Sequence, residues 1–313
     1  MRNPQFATMN SRRFAQWNEN KKNGLDEKKQ LFLMIVSYHP LFEADKNIIC
    51  AGRAPNGEDL AAIRAADAVI LSQGCYRTLY LMARENCSDV FPNYDARFKY
   101  PGKINQIKLF REIKISHPAS EVFSDIAAFQ QKYHFGRSKP LFNFPIVFKL
   151  DWGGEGETVY LINSIDNLQK ILKKTADYEK SGQTGFILQD YIPSNNRTLR
   201  VVILGQRVIS YWRIQENKDG FYSNLNKGAV IDTQLEPGLQ HKAVALIKDL
   251  CQKTKINLAG FDVIFSSEND DPDPMLLEIN YFFGRKGLGG SENYYRILME
   301  EIRNWLARRN LGV

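Results

Sequence analysis

Two apolar segments near the C-terminus, 261–265 and 275–281, carry carboxylate and amide side chains within strand-like patterns. Residues two apart in a β-strand share a face, so Glu278 and Asn280 project together while their apolar neighbours turn towards a core. If the two segments pair as a hairpin, Asp262 of the first lies opposite Glu278. The pattern therefore requires a sheet with one buried face and one polar face.

The carboxylates of Asp262 and Glu278 would repel each other across such a pair, so a cation has to offset them. Oxygen donors from Asp262, Glu278 and Asn280 suit magnesium, which takes a few protein oxygens and leaves positions for water and phosphate. A solvated acidic face with the same alternation is the alternative. Asn is depleted in strand interiors, which favours the metal site.

An apolar strand, 144–148, leads directly to Lys149 and then to a turn rich in glycine. Gly153, Gly154 and Gly156 permit positive φ angles and let backbone N–H groups approach an anion closely. No Gly-Lys-Ser/Thr follows, and a strand rather than a helix comes next, so neither a Walker A loop nor a dinucleotide fingerprint is indicated. The alternative is a tight hairpin turn beside a surface lysine.

The next strand, 185–192, stops at Pro193 and could serve as a hinge whose backbone binds an adenine edge. The strands that follow carry Arg197, Arg200 and Arg213, whose planar forks suit carboxylate and phosphate. An ordinary strand end and a solvated sheet face remain the alternatives for these two features.

Alternating strands and helices over 31–100 predict a small parallel α/β unit. After Tyr100-Pro101-Gly102, strand pairs are separated by single helices, which predicts antiparallel sheets with helices on one face. The fold class is therefore α/β in the first part and α+β in the second. Residues 1–30 form a polar, basic N-terminal extension.

Composition excludes several classes of protein. The 313 residues are 43% hydrophobic and 25% charged, typical of a globular chain, and no apolar run approaches the roughly 20 residues that span a bilayer. The N-terminus lacks the apolar core of a secretory signal, so the cytoplasm is the expected compartment. Four scattered cysteines without ligand spacing argue against zinc sites and disulfide frameworks.

The formal net charge of +7 indicates anionic partners. The basic residues form no stripe interleaved with aromatics and no nucleic-acid reader motif appears, which argues against nucleic acid. A phosphorylated small ligand fits the charge equally well.

In their order and spacing these features resemble the ATP-grasp superfamily, and the local sequence is similar to its glutathione synthetase and RimK-type branch. The resemblance covers about 103–290. It implies that ATP and magnesium (or manganese) are bound. The implied nucleotide-binding residues are Lys103, Lys149, Gly153, Gly154, Gly156, Gln189, Asp190, Tyr191, Ile192 and Asn224. The implied metal ligands are Asp262, Glu278 and Asn280.

The resemblance also implies a domain organisation. Residues 31–100 match the family's small N-terminal α/β domain, and 101–313 match the ATP-grasp domain. Within the latter, a smaller lid subdomain extends over about 143–192 and a larger catalytic subdomain over about 193–313.

The sequence departs from the family pattern near the expected substrate site. Thr198 stands where the family often has an acidic residue that contacts the ribose, and Tyr222 replaces an arginine common in the RimK branch. Segment 282–290 differs from the usual serine- and proline-containing turn. The substrates of relatives therefore do not transfer directly to this chain.

The resemblance implies a ligase that activates a carboxylate, on a small molecule or a peptide, as an acyl-phosphate and couples it to an amine or thiol. Arg200, helped by Arg285, would stabilise the acyl-phosphate and the oxyanion that follows. A homo-oligomer is compatible with this function. One alternative is a non-catalytic ATP-binding module, and another is a nucleic-acid binder that uses residues 1–30.

Overall fold

The computed structural model of the chain describes residues 33–50, 52–133, 143–154, 156–216 and 228–311. The chain divides into two units, Met1–Met34 and Ile35–Val313, and the fold and site below belong to the second. The predicted basic extension, 1–30, lies outside the described residues.

The first sheet is fully parallel, as the alternation of strands and helices predicts. Its strand order is β2-β1-β3-β4. The strands are β1 (Ile35–Ser37), β2 (Lys46–Asn47), β3 (Ala68–Ile70) and β4 (Asp89–Phe91). The connecting helices are α1 (Gly57–Arg64) and α2 (Arg77–Asn86), and the short helix α3 (Asp95–Lys99) follows β4.

The second sheet is antiparallel, with strand order β5-β8-β6-β7. The strands are β5 (Ser120–Phe123), β6 (Ile146–Leu150), β7 (Val159–Ile162) and β8 (Phe186–Asp190). The predicted hairpin on either side of the glycine turn is thus confirmed. Two helices, α5 (Ile126–Lys132) and α6 (Ile165–Lys180), pack on one face, against Phe148 and Phe186.

The third sheet has five strands in the antiparallel order β11-β10-β9-β12-β13. The strands are β9 (Arg197–Leu204), β10 (Arg207–Ile214), β11 (Val230–Asp232), β12 (Leu258–Ile264) and β13 (Met275–Asn280). The associated helices are α4 (Gly102–Glu112), α7 (Pro237–Thr254) and α8 (Gly290–Ala307), the last preceded by a 3-10 turn, Lys286–Leu288. Both strand pairs anticipated in this region are present.

Helices cover both faces of the five-stranded sheet. Val201 and Ile203 of β9 belong to a core with α4 and α7, whereas Val202 and Leu204 belong to a core with α8. Successive strand residues point to opposite faces, so β9, apolar at each of these positions, is buried on both sides. The prediction of helices on one face is wrong for both antiparallel sheets, because Ile187 of β8 packs in the core with α4, on the face opposite Phe186 and the helices α5 and α6.

The parallel sheet and α8 share a single hydrophobic core. The rings of Phe91 in β4 and Trp305 in α8 lie 5.6 Å apart between centroids, and Ile302 and Leu306 are fully buried in the same cluster. The last helix of the chain therefore attaches the parallel sheet to the five-stranded sheet.

Two expectations from composition concern the cysteines and the membrane. The cysteines are free thiols, with Cys50, Cys75 and Cys87 buried and Cys251 partly buried. In the part of the chain that the structure describes, no helix combines the length and apolar character needed to cross a bilayer.

Candidate functional site: a cavity between two antiparallel sheets

A cavity of about 670 Å³ lies between the two antiparallel sheets. Fourteen of the fifteen residues proposed from the sequence line it, and the remaining one, Asn224, lies outside the described residues. The residues that line it are Lys103, Lys149, Gly153, Gly154, Gly156, Gln189, Asp190, Tyr191, Ile192, Arg200, Asp262, Glu278, Asn280 and Arg285.

Strand register aligns charged side chains into a row across the five-stranded sheet. Tyr211 of β10 is paired with Arg200 of β9, Arg200 with Asp262 of β12, and Asp262 with Glu278 of β13. Directly paired residues share a face, so all four side chains are directed to the cavity side. The predicted opposition of Asp262 and Glu278 is confirmed.

Asp262 is held by two arginines. Arg200 donates from Nε and Nη2 to the two carboxylate oxygens at 2.6 and 3.2 Å, and Arg213 Nη2 lies 2.7 Å from Oδ1. Asn280 Nδ2 donates to Oδ2 at 3.1 Å. Burial would raise the pKa of Asp262, but the two guanidinium groups outweigh it and hold that pKa below its usual range. Asp262 is therefore ionised.

Glu278 has a different environment, because the described residues offer its carboxylate no hydrogen bond or ion pair. Burial, together with the charge of Asp262, raises its pKa, while Lys103 and Lys149 act in the opposite direction. A carboxylate directed into a cavity without a partner is costly unless a cation occupies the cavity.

The oxygen donors fit a hard divalent cation. Among the described residues no group of three or more His, Cys, Asp and Glu side chains converges on one point. The candidate site therefore has two carboxylates, Asp262 and Glu278, and the amide of Asn280. Few protein ligands of this kind match magnesium, which keeps several positions for water and phosphate. Each Asp262 oxygen already accepts two hydrogen bonds, Oδ1 from Arg200 and Arg213 and Oδ2 from Arg200 and Asn280, so Asp262 would have to exchange one of these bonds for a bond to the metal.

Two lysines, Lys103 and Lys149, line the same cavity as Asp262 and Glu278. Lys149 and Val147 lie on the cavity face of β6, whereas the alternate residues of this strand lie on the opposite face and pack on α5 and α6. Burial lowers its pKa to about 8, despite the nearby charge of Glu278. Burial also lowers the pKa of Lys103, which Glu278 and Asp151 partly restore. These cations are candidates for phosphate contacts.

A hydrogen bond joins the N-terminus of α4 to Asp151, the residue after β6, and this contact brings Lys103 to the glycine turn. Asp151 accepts a hydrogen bond from Ile104 N at 2.7 Å, and Lys103 Nζ donates to the carbonyl of Gly153 at 2.9 Å. Gly102 has φ +75°, and a Cβ there would lie 2.8 Å from the Asp151 carboxylate oxygens. Only glycine permits this approach.

The glycine turn is closed by Thr158, whose hydroxyl donates to the carbonyl of Trp152 at 2.6 Å. Gly153 adopts φ +80°, and a Cβ there would lie 2.5 Å from Thr158 Cγ2. Gly154, by contrast, has open space around its Cα. The two neighbouring glycines therefore have unequal structural requirements.

We expect Gly153→Ala to destabilise the protein by about 1–3 kcal/mol, because it adds a clash to an unfavourable φ. The matched variant Gly154→Ala is expected to change the free energy of unfolding by less than about 0.5 kcal/mol. Urea denaturation of both variants measures the difference. Equal losses in the two variants would contradict this account of the turn.

The proposed hinge at the end of β8 is fixed by side-chain and backbone bonds to β5. Gln189 is 1% exposed, and its Nε2 donates to Ser120 Oγ at 2.8 Å. Asp190 N donates to the carbonyl of Ala119 at 2.8 Å, and burial raises the pKa of the Asp190 carboxyl. The Gln189 side chain is thus bonded to Ser120, and the residue lines the cavity beside Asp190, Tyr191 and Ile192.

Segment 282–286 forms the wall of the cavity that follows the acidic strand β13. Phe282 is 61% exposed. The guanidinium carbon of Arg285 lies 4.6 Å from the ring centroid of Tyr294 and 4.5 Å from that of Tyr295. The structure thus places Arg285 at the cavity on a support of two aromatic rings.

Comparison with known proteins identifies the family. A model of the RimK-like ATP-grasp domain matches residues 101–301. The chain belongs to the RimK-like ATP-grasp family. The matched range contains every described residue proposed for the site and both antiparallel sheets.

Curated relatives of this RimK-like ATP-grasp protein match over less than half of its length. An uncharacterised protein of Mycoplasma pneumoniae is 28% identical over 131 residues, 42% of each chain. A probable alpha-L-glutamate ligase of Alkalilimnicola ehrlichii is 27% identical over 146 residues, 46% of this chain and 44% of the relative. The chain therefore spans less than half the length of the curated relatives it matches.

A solved structure supports the fold of the RimK-like ATP-grasp protein more widely. The ADP complex of N5-carboxyaminoimidazole ribonucleotide synthetase matches with a TM-score of 0.56 and 12% identity, covering 86% of this chain and 68% of that one. At this identity the similarity shows the fold alone.

Three residues that shape the RimK-like site, Gly260, Gly287 and Tyr211, were not predicted from the sequence. A Cβ at Gly260 would lie 3.0 Å from Arg200 Nη1, so this glycine makes room for the arginine. Gly287 lies directly against the Tyr211 ring, where a Cβ would overlap its Cζ. Gly260 stands two residues before Asp262 on the same face, which is the one signal that could have identified it.

Proposed function

We propose that the protein is an ATP- and magnesium-dependent ligase that activates a carboxylate as an acyl-phosphate and couples it to an amine or thiol. The observation that carries this proposal is the carboxylate of Glu278, which has no hydrogen bond or ion pair within the described part of the chain and shares one cavity with the ammonium groups of Lys103 and Lys149. An acidic group beside phosphate-binding cations fits a metal–nucleotide complex better than it fits either component alone.

The roles follow from the positions of the residues. Lys103 and Lys149 would bind the phosphates of ATP, with the turn containing Gly153 supplying backbone N–H groups. The segment after Gln189 would face the adenine. Asp262, Glu278 and Asn280 would hold magnesium, which when bound supplies charge compensation to the phosphate oxygens.

In the reaction an oxygen of the substrate carboxylate attacks the γ-phosphorus of ATP, and the bond to the β-phosphate oxygen breaks to release ADP. The amine or thiol then attacks the acyl carbon, loses its proton and expels inorganic phosphate. Arg200, buried and positively charged, would stabilise the acyl-phosphate and the tetrahedral oxyanion. No side-chain nucleophile is required.

The substrates are proposed from chemistry and from relatives. A relative named as a probable alpha-L-glutamate ligase makes amino acids and peptides the first candidates for the carboxylate and the amine. The cytoplasm, where ATP and amino acids are both present, is the proposed compartment. A homo-oligomer remains compatible with the site.

The decisive experiment is a screen for ADP release over amino acids, short peptides and thiols, with Glu278→Ala as the blank. We expect at least one pair of substrates to release ADP from the wild type, and the blank to lose this release while keeping its fold. Equal ADP release by both proteins would reject the assignment.

The pKa of Lys149 leads to a pH dependence. Because burial lowers this pKa to about 8, Lys149 loses its proton as the pH rises through 8, and its attraction for phosphate disappears. We expect the Kd for ATP to rise on the order of 10-fold between pH 8 and 9.5. In Lys149→Arg the cation at this position persists at every pH, so the Kd for ATP should rise much less over the same range, with Lys103 the one proposed phosphate-binding lysine left to titrate. Calorimetry at each pH measures this, and parallel curves would contradict it.

A non-catalytic ATP-binding module is the second candidate. Two observations favour it. Arg200, the proposed catalytic arginine, is already hydrogen-bonded to Asp262, and Thr198 stands where the family often has an acidic residue. Saturable ATP binding without substrate-dependent ADP release would identify such a module.

A further inference from the structure

Arg285 is fixed in place, and no described acidic side chain forms an ion pair with it. Two tyrosine rings hold its guanidinium group, and its one hydrogen bond among the described residues, to Ser291 Oγ, is long at 3.4 Å. Cation–π contacts use no N–H donor, and arginine has five. Most of its hydrogen-bonding capacity is therefore unused at the wall of the cavity.

The surrounding groups do not neutralise Arg285. Its neighbour Lys286 is exposed and also lines the cavity. His39, whose ring lies 6.2 Å from that of Tyr295, is buried, and burial together with the charge of Arg285 lowers its pKa to about 4. It therefore remains neutral at physiological pH. Within segment 282–286 the charged side chains are therefore both cationic.

The charge balance of the whole cavity leads to the same conclusion. Among the residues that the structure describes, seven cationic and three acidic side chains line it. Arg200 and Arg213 are paired with Asp262, and Arg197 is paired with Glu236 at 3.0 Å. With two lysines assigned to phosphate, Arg285 and Lys286 remain for another anion.

We propose that segment 282–286 forms a carboxylate-binding subsite, in which Arg285 binds a carboxylate of the substrate other than the one that is activated. The inference rests on the proposed function, because it assigns the substrate class of the same cavity. A planar carboxylate accepts two parallel bonds from an arginine fork. Holding the guanidinium between two rings beforehand reduces the entropy that binding would cost.

This subsite makes Arg285 a determinant of specificity. Segment 282–290 is where the sequence departs from the family pattern, so the preference belongs to this chain's own residues. The class of substrate is an amino acid or peptide with an additional side-chain or terminal carboxylate.

The test compares acids with their amides. Calorimetry on the full-length protein, loaded with magnesium and a non-hydrolysable ATP analogue, measures the affinities of L-glutamate, L-glutamine, L-aspartate and L-asparagine. We expect at least one acid to bind about 30-fold more tightly than its amide, because a charge-assisted pair is lost in the amide. In Arg285→Gln this ratio should fall to about 3 or less, whereas Arg285→Lys should retain part of it.

The control is Arg296→Gln, an exposed arginine of α8 that does not line the cavity, and it should keep the wild-type ratio. A purely structural role of Arg285 would weaken acid and amide equally and leave the ratio unchanged. An unchanged ratio in Arg285→Gln overturns the proposal. Equal affinity of acid and amide in the wild type overturns it too, as does a failure of all four probes to bind.

Parallel ADP-release assays separate this proposal from the ligase assignment. Glu278-dependent ADP release without a preference for acids would reject the subsite alone. An acid preference that depends on Arg285, without ADP release, would reject the ligase and retain the subsite.

Discussion

Replacing Glu278 with glutamine is expected to abolish turnover and to stabilise the free protein. The carboxylate has no partner among the described residues, and burial raises its pKa. An acid whose folded pKa is raised loses native-state stability as the pH rises from its ordinary value of 4.5 through the raised one. Above that window, glutamine removes a buried charge without changing shape.

The two effects are large enough to separate. We expect the thermal midpoint of Glu278→Gln, without ligand at pH 7.5, to rise by about 2 °C or more. Turnover should fall by about 1,000-fold, because magnesium loses one of two charged ligands. Adding magnesium and ATP should raise the midpoint of the wild type and leave the variant nearly unchanged. A variant that is less stable without ligand, or that responds to magnesium and ATP like the wild type, would contradict the metal assignment.

Replacing Asp262 with alanine should have the opposite effect on stability. The side chains of Arg200 and Arg213 are 8% and 11% exposed, and both would lose their acidic partner. Breaking a buried ion pair leaves uncompensated charge, so we expect a loss of about 3–5 kcal/mol in the free energy of unfolding.

Urea denaturation measures this loss, with Asp249→Ala as the matched control. Asp249 is 50% exposed and pairs with Lys253 on one face of α7, so its removal should cost less than about 1 kcal/mol. Similar losses in the two variants would show that the ion pairs of Asp262 with Arg200 and Arg213 contribute no more to stability than a surface ion pair does.

Asp262 and Glu278 also show how much of the site the sequence could predict. The opposition of Asp262 and Glu278 was predictable, because the alternation of side chains along β12 and β13 can be read from neighbouring residues of the sequence. The grip of Arg200 on Asp262 depends on pairing between β9 and β12, which are 62 residues apart at that contact. Nothing in the local pattern specified this register.

The glycine turn and the fold show the same limit. Sequence identified Lys149 and the glycines but gave no reason for Lys103 to reach them, since that approach depends on the Asp151 bond to α4. Short strands such as β4 and β5 carry polar residues and lack a strong pattern, and they were missed. The packing of α8 on the parallel sheet is a tertiary contact that no local pattern could reveal.

The central claim is that the cavity transfers a phosphoryl group to a carboxylate. It is tested most directly with a substrate in which both oxygens of the activated carboxylate are oxygen-18, using any pair that releases ADP in the screen. Formation of an acyl-phosphate predicts one oxygen-18 atom in each inorganic phosphate released, with ADP in equal amount. Phosphate free of the label, or release of AMP and pyrophosphate, would contradict the account.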